Sequence, residues 1–95
     1  MKAVIWTELA LRHVSSIWDY IANDSIFYAD KVADEIVSAT ERLSTFNKIG
    51  RVVPEINKDN IREIRYASYR IMYEIRDDAI YITQVVHSSM NFKGE

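Results

Sequence analysis

Apolar positions recur with two different periods along this chain. Ala3-Val4-Ile5-Trp6 is a short, branched and aromatic run that predicts a strand. Thr7 follows as an N-cap, with Glu8 in the first turn, where the helix dipole favours a carboxylate. Ala10, Val14, Ile17, Trp18 and Ile21 then return at intervals of three and four, which predicts an amphipathic helix over 8–23. Asp24 and Ser25 offer a second cap. Ala29, Val32, Ala33, Ile36, Thr40, Leu43 and Phe46 continue the helical spacing to about residue 47, with Gly50 beyond it as a left-handed C-terminal stop. So short a break predicts an antiparallel helical hairpin.

After Pro54 the period falls to two. Strands are predicted at 61–66, 69–76 and 79–87, with Asp77-Asp78 as a two-residue turn in which Asp accepts a positive φ. Tyr69, Ile71, Tyr73 and Ile75 share one face; Arg70, Met72, Glu74 and Arg76 share the other. With Arg76 opposite Ala79, the apolar face takes Ile80, Ile82, Gln84 and Val86. Tyr81, Thr83, Val85 and His87 then join Arg70. Ile64 and Tyr66 belong with the core, Glu63 and Arg65 with the open face. The fold class is α+β: an N-terminal strand and a two-helix hairpin packed on one face of a small antiparallel sheet. Trp6, Trp18, Phe46, Tyr69 and Tyr73 are expected to pack in the core rather than to stack on bases.

Composition narrows the chemistry. The 95 residues form a single domain, 1–95, with two Gly, one Pro and no Cys. Disulfides and Cys-ligated zinc are thereby excluded. The longest apolar runs are four residues, too short for a membrane span or a secretory signal, so a soluble cytoplasmic protein without a membrane partner is expected. The net charge of −2 conceals a local excess: segment 48–76 holds seven basic and four acidic residues. No Gly-rich phosphate loop or nucleophile elbow is present. His13 and His87 lie in different elements without ligand spacing, so neither a metal nor a cofactor is expected. His13 is assigned a structural place.

What remains is the open face with Glu63, Arg65, Arg70 and His87. Two guanidiniums can hold a phosphate, and a carboxylate with an imidazole can move a proton, which are the parts of metal-free RNA cleavage. Cross-strand Arg–Glu pairs that merely solubilise a sheet face would give the same pattern.

The set Gly50-Arg51-Val52-Val53-Pro54-Glu55, Asn60-Ile61-Arg62-Glu63-Ile64 and Tyr69-Arg70-Ile71-Met72-Tyr73-Glu74-Ile75 resembles toxins of the RelE/ParE superfamily. Trp6-Thr7, Ile17, Tyr20-Ile21-Ala22, Leu43 and Phe46 agree with it, and the ParE-like branch matches best. The resemblance covers residues 3–92. It implies the toxin of a type II toxin–antitoxin, or plasmid stabilisation, pair. Such a toxin is neutralised by a cognate antitoxin, and meets operator DNA only through that antitoxin. ParE-like members poison DNA gyrase; RelE-like members cut mRNA on the ribosome. In the ribonuclease branch the Arg at the position of Arg70 is catalytic, and Arg65, Glu55 and His87 would complete such a set here. Glu63 falls where that branch carries a lysine, and Ser88-Ser89-Met90-Asn91-Phe92 where it carries basic and aromatic groups. These departures favour gyrase inhibition over catalysis. The alternatives are a ribosome-dependent mRNA endonuclease and a degenerate toxin that keeps only antitoxin binding. For a toxin acting by binding, Arg51, Glu55, Arg62, Glu63, Arg65, Arg70 and His87 are the candidate surface residues.

Overall fold

The computed structural model describes residues 1–89. The chain runs β1 (Ala3–Trp6), α1 (Glu8–Ala22), α2 (Ile26–Ala39), a 3-10 turn (Glu41–Ser44), β2 (Arg51–Val52), β3 (Ile61–Tyr66), β4 (Tyr69–Ile75) and β5 (Ala79–His87). The five strands form one sheet in the order β1-β5-β4-β3-β2. The hairpin strands and β2 pair antiparallel, but β1 lies parallel to β5, with Ala3 opposite Ala79 and Trp6 opposite Ile82. The sheet is therefore mixed rather than purely antiparallel.

Both helix starts follow the cap chemistry. Thr7 Oγ1 accepts the Ala10 N–H and donates to Ile82 O at 2.8 Å, so one hydroxyl caps α1 and ties it to β5. Ser25 Oγ accepts the Tyr28 N–H at 3.1 Å. The second helix ends earlier than its apolar spacing suggests. Thr40 donates its hydroxyl back to Val37 O, and the chain tightens into the 3-10 turn that buries Leu43. Phe46 leaves the stripe and is 60% exposed.

The hairpin covers one face of the sheet. Ala10, Val32, Ile36 and Leu43 meet Ile64, Ile71, Tyr73, Ile80, Ile82 and Val85 in a single core. Trp6 is partly buried against that core, as is Tyr69. Trp18 is half-buried and donates Nε1–H to Asp30 Oδ1 at 2.8 Å, bridging the two helices.

Three local expectations are corrected. Gly50 has no left-handed φ. It is required because a Cβ there would stand 2.4 Å from Glu63 O and 2.9 Å from the Tyr73 hydroxyl oxygen. The Asp77-Asp78 turn also lacks a positive φ; among non-glycine residues only Asn57 and Ala67 adopt one in the described chain. Lys2, just before β1, instead donates its Nζ to Arg76 O and Asp77 O, both at 2.8 Å, and closes the turn.

The third correction concerns register. Ile75–Ile80 and Tyr73–Ile82 pair as expected, but Met72 faces Gln84, so one extra residue, Thr83, enters β5. Beyond this bulge every side chain changes face. Val85 opposes Ile71 in the core, His87 opposes Tyr69, and Gln84 and Val86 turn to the side of Met72 and Arg70. This reverses the faces expected for Gln84, Val85, Val86 and His87.

Candidate functional site

The sheet face away from the helices carries the charged cluster. β3 and β4 place Arg65 directly opposite Arg70 and Glu63 opposite Met72, and β2 brings Arg51 opposite Glu63. This face is not the solvated surface that alternation predicts: Glu63 is 2% and Arg70 5% exposed, and Met72 is buried as well. The segment after β2 supplies Glu55 to the same cluster. Its turn is held by the N–H groups of Ile56 and Asn57 on Val53 O, with Asn57 in the left-handed region.

Arg70 sits between two carboxylates. Its Nη1 and Nη2 donate to the two oxygens of Glu55 at 2.9 and 2.8 Å, a fork-on-fork pair. Its Nε donates to Glu63 Oε1 at 2.8 Å, and Arg51 Nε donates to Glu63 Oε2 at 2.8 Å. The four side chains thus alternate in sign and are mutually neutral. Hydrogen bonding to the Arg70 guanidinium holds the Glu55 carboxyl down at about 2, so it stays ionised at any physiological pH. The same bonds push Arg70 above the usual arginine value.

The remaining candidates are dispersed. Arg62 lies on the other side of the strand and acts as a staple: Nε and Nη2 donate to Asp59 and Nη1 donates to Gly50 O at 2.8 Å. Arg65 is exposed and makes no ion pair among the described residues. His87 is on the opposite sheet face from Arg70, edge-on to Tyr69 at 5.5 Å between ring centroids. Its Nδ1 accepts the Ser89 N–H at 3.1 Å. The structure therefore brings Arg51, Glu55, Glu63, Arg65 and Arg70 together and separates Arg62 and His87 from them. Of the segment after the last strand, Met90-Asn91-Phe92 lies outside the described residues.

A second feature had no signal in the two-residue pattern. A cleft opens between α1 and the far end of β4–β5, lined by Ser16, Ile17, Tyr20, Tyr69, His87 and Ser89. In the adjoining hollow, which shares Ser16, Ile17, Tyr69 and His87, His13 Nδ1 accepts the Val85 N–H at 3.1 Å, beside the bulge. Burial and the neighbouring Arg12 push the His13 imidazole below its ordinary value, which favours the neutral ring this acceptor role requires. Beside the cleft, Tyr66 donates its hydroxyl to Glu35 and joins β3 to α2; this contact and burial raise the phenol to about 12. Tyr20, Phe27 and Tyr28 stand exposed on the helical hairpin near this end.

Among the described residues no cluster of His, Asp or Glu has the arrangement to hold a metal ion. No helix in them is long and apolar enough to cross a membrane.

Comparison with known proteins agrees with this architecture. The curated protein Toxin RelE2 of Caulobacter vibrioides is 28% identical over 90 residues, covering 94% of this chain and 98% of its own length. A solved structure, the chromosomal ParDE TA system from P. aeruginosa, superposes with a TM-score of 0.76 at 19% identity, over 92% of this chain and 96% of that one. It shares the fold of a helical hairpin on a five-stranded sheet. The family model for the ParE toxin of the type II toxin–antitoxin system parDE matches residues 4–92, and the chain belongs to that family of toxins.

Proposed function

We propose that this toxin acts by binding rather than by catalysis, with DNA gyrase as its target and a cognate antitoxin as its inhibitor. One observation carries the reading: the guanidinium that would grip a scissile phosphate is already bound by two carboxylates. Arg70 is buried between Glu55 and Glu63, and His87 lies across the sheet from it. Metal-free phosphodiester cleavage needs a cation at the phosphate with a base and an acid close by. Losing one such group costs about a hundredfold or more in rate. Among the described residues, the carboxylates at this cation are engaged as its ion-pair partners and the imidazole lies on the other sheet face. A gyrase poison needs only a complementary surface.

The antitoxin reading is supported by the family and by the apolar side chains left on the helices. Tyr20 and Phe27 are 78% and 81% exposed, and Leu9, Leu11 and Ile26 are exposed too. A segment that orders on binding and lays an amphipathic helix against such a face would cover them. Co-expression with the adjacent open reading frame should give a complex that survives size-exclusion chromatography at micromolar concentration. Separate elution contradicts the partnership. In a translating extract, purified toxin should leave mRNA intact. Codon-phased cuts contradict the binding mechanism and return the chain to the ribonuclease class.

A further inference from the structure

We propose that the hollow where the helical hairpin meets the β3–β4 turn receives an arginine side chain of the antitoxin, held by the Tyr28 and Tyr69 rings and the Glu35 carboxylate. The occupant rests on the antitoxin reading above; the site rests on its own geometry. Tyr66 and Tyr69 pair directly across the β3–β4 ladder, on either side of a turn in which Ala67 takes a φ of 51°. Both pack partly buried against the core. Tyr28 comes from α2, and the three tyrosines line a hollow of about 230 Å³ together with Ile21 and Val32. Drug-sized ligands fill about 300–1,000 Å³, so this space suits a single long side chain. Tyr20, from α1, lines the adjoining cleft, which shares Tyr69.

The chemistry of the hollow selects a cation. Neither the hollow nor the adjoining cleft is lined by a lysine or an arginine. Tyr66 donates its hydroxyl to Glu35 Oε1, which leaves Oε2 without a hydrogen-bond partner among the described residues. Burial and the nearby Tyr28 and Tyr20 push the Tyr69 phenol up, and Glu35 does the same to Tyr66, so this end of the molecule resists a further negative charge. Around it, residues 19–35 of the hairpin carry Asp19, Asp24, Asp30, Asp34 and Glu35 against Lys31 alone. Tyrosine rings attract a cation placed within about 6 Å of their centroids. A guanidinium suits the site better than an ammonium. It is planar and weakly hydrated, and it can stack on a ring while it donates to a carboxylate. Tyr20 and Tyr28 are 78% and 54% exposed, so the site is open to a segment laid along the hairpin.

The probe is N-acetyl-arginine amide, titrated into the purified toxin and read by NMR from the Tyr28 and Tyr69 ring protons. N-acetyl-citrulline amide serves as its neutral isostere. The arginine probe should bind saturably and at least about fivefold more tightly than the citrulline probe, with its δ-methylene protons shifted upfield by the rings. Tyr28→Leu and Glu35→Gln should each weaken binding at least about threefold, whereas Tyr28→Phe, which keeps the ring, should not. Equal binding of the two probes overturns the proposal, as does a loss in Tyr28→Phe as large as in Tyr28→Leu. The upfield shift is read in the wild type, so its absence overturns the proposal even where a variant fails to fold. Equal binding of N-acetyl-lysine amide overturns the assignment to arginine. In the co-purified toxin–antitoxin complex the arginine probe should not bind; unchanged binding overturns the antitoxin as the source of the side chain. The titration of the toxin alone involves no antitoxin, so its failure leaves the partnership, which co-elution tests, in place.

Discussion

At the scale of single residues, the loop before β2 is closed by one side chain, Tyr73, against the bare backbone at Gly50. The buried Tyr73 hydroxyl donates to Asn47 O at 2.8 Å and accepts the Gly50 N–H at 3.1 Å. Gly50 passes so close to Glu63 O that no Cβ can be admitted. Gly50→Ala should therefore destabilise the fold by about 1–3 kcal/mol through overpacking. Tyr73→Phe should cost about 1–2 kcal/mol, because it leaves the Gly50 N–H and Asn47 O unpaired. Urea denaturation checks both; a neutral Gly50→Ala would mean that the backbone approach is looser than described. Glu63 is the more sensitive site. Glu63→Ala removes the carboxylate that both Arg51 and Arg70 bind, in a buried setting where breaking such a pair costs about 3 kcal/mol or more. Glu63→Gln keeps the volume and should cost distinctly less. These contacts were legible only in part. Alternation placed Glu63, Arg65 and Arg70 on one face correctly. It could not show that the two-residue strand β2 and the Glu55 loop would bury that face, since neither has a periodicity of its own.

At the scale of elements, β5 is the strand on which sequence reasoning and structure part. Period two extends a register indefinitely, and a bulge leaves no composition signal in a run as branched as this one. Thr83 becomes the extra residue and donates its hydroxyl to Met72 O at 3.2 Å, while His13 takes the Val85 N–H from the helix side. The helices were read closely at their starts, where Thr7 and Ser25 are chemical signals. The end of α2 was missed because Leu43 keeps helical spacing through a 3-10 turn. The His13 contact has a pH consequence. Its imidazole is held below the ordinary value of 6.5, so the unfolded chain binds the proton more readily. Its contribution to stability is complete above about pH 6.5 and is lost as pH falls from there toward the lower folded-state value. Urea midpoints should drop between pH 7.5 and 5.5 in the wild type and drop less in His13→Gln, which retains an acceptor. Identical pH profiles would remove His13 from that role.

At the scale of the whole molecule, the two faces of the sheet have separate duties. One face is sealed by the helical hairpin, which in turn leaves Tyr20, Phe27 and Tyr28 outward. The other holds a neutral, interlocked set of two arginines and two glutamates, with Arg65 exposed at its edge. Among the described residues, the His87 imidazole and the Arg70 cluster lie on opposite faces of the sheet. The direct measurement is a supercoiling assay with purified gyrase and relaxed plasmid, run with and without the antitoxin. Gyrase poisoning predicts dose-dependent loss of supercoiling, with gyrase–DNA cleavage complexes accumulating and both effects reversed by the antitoxin. Unimpaired supercoiling at a toxin concentration that arrests growth in cells would contradict it.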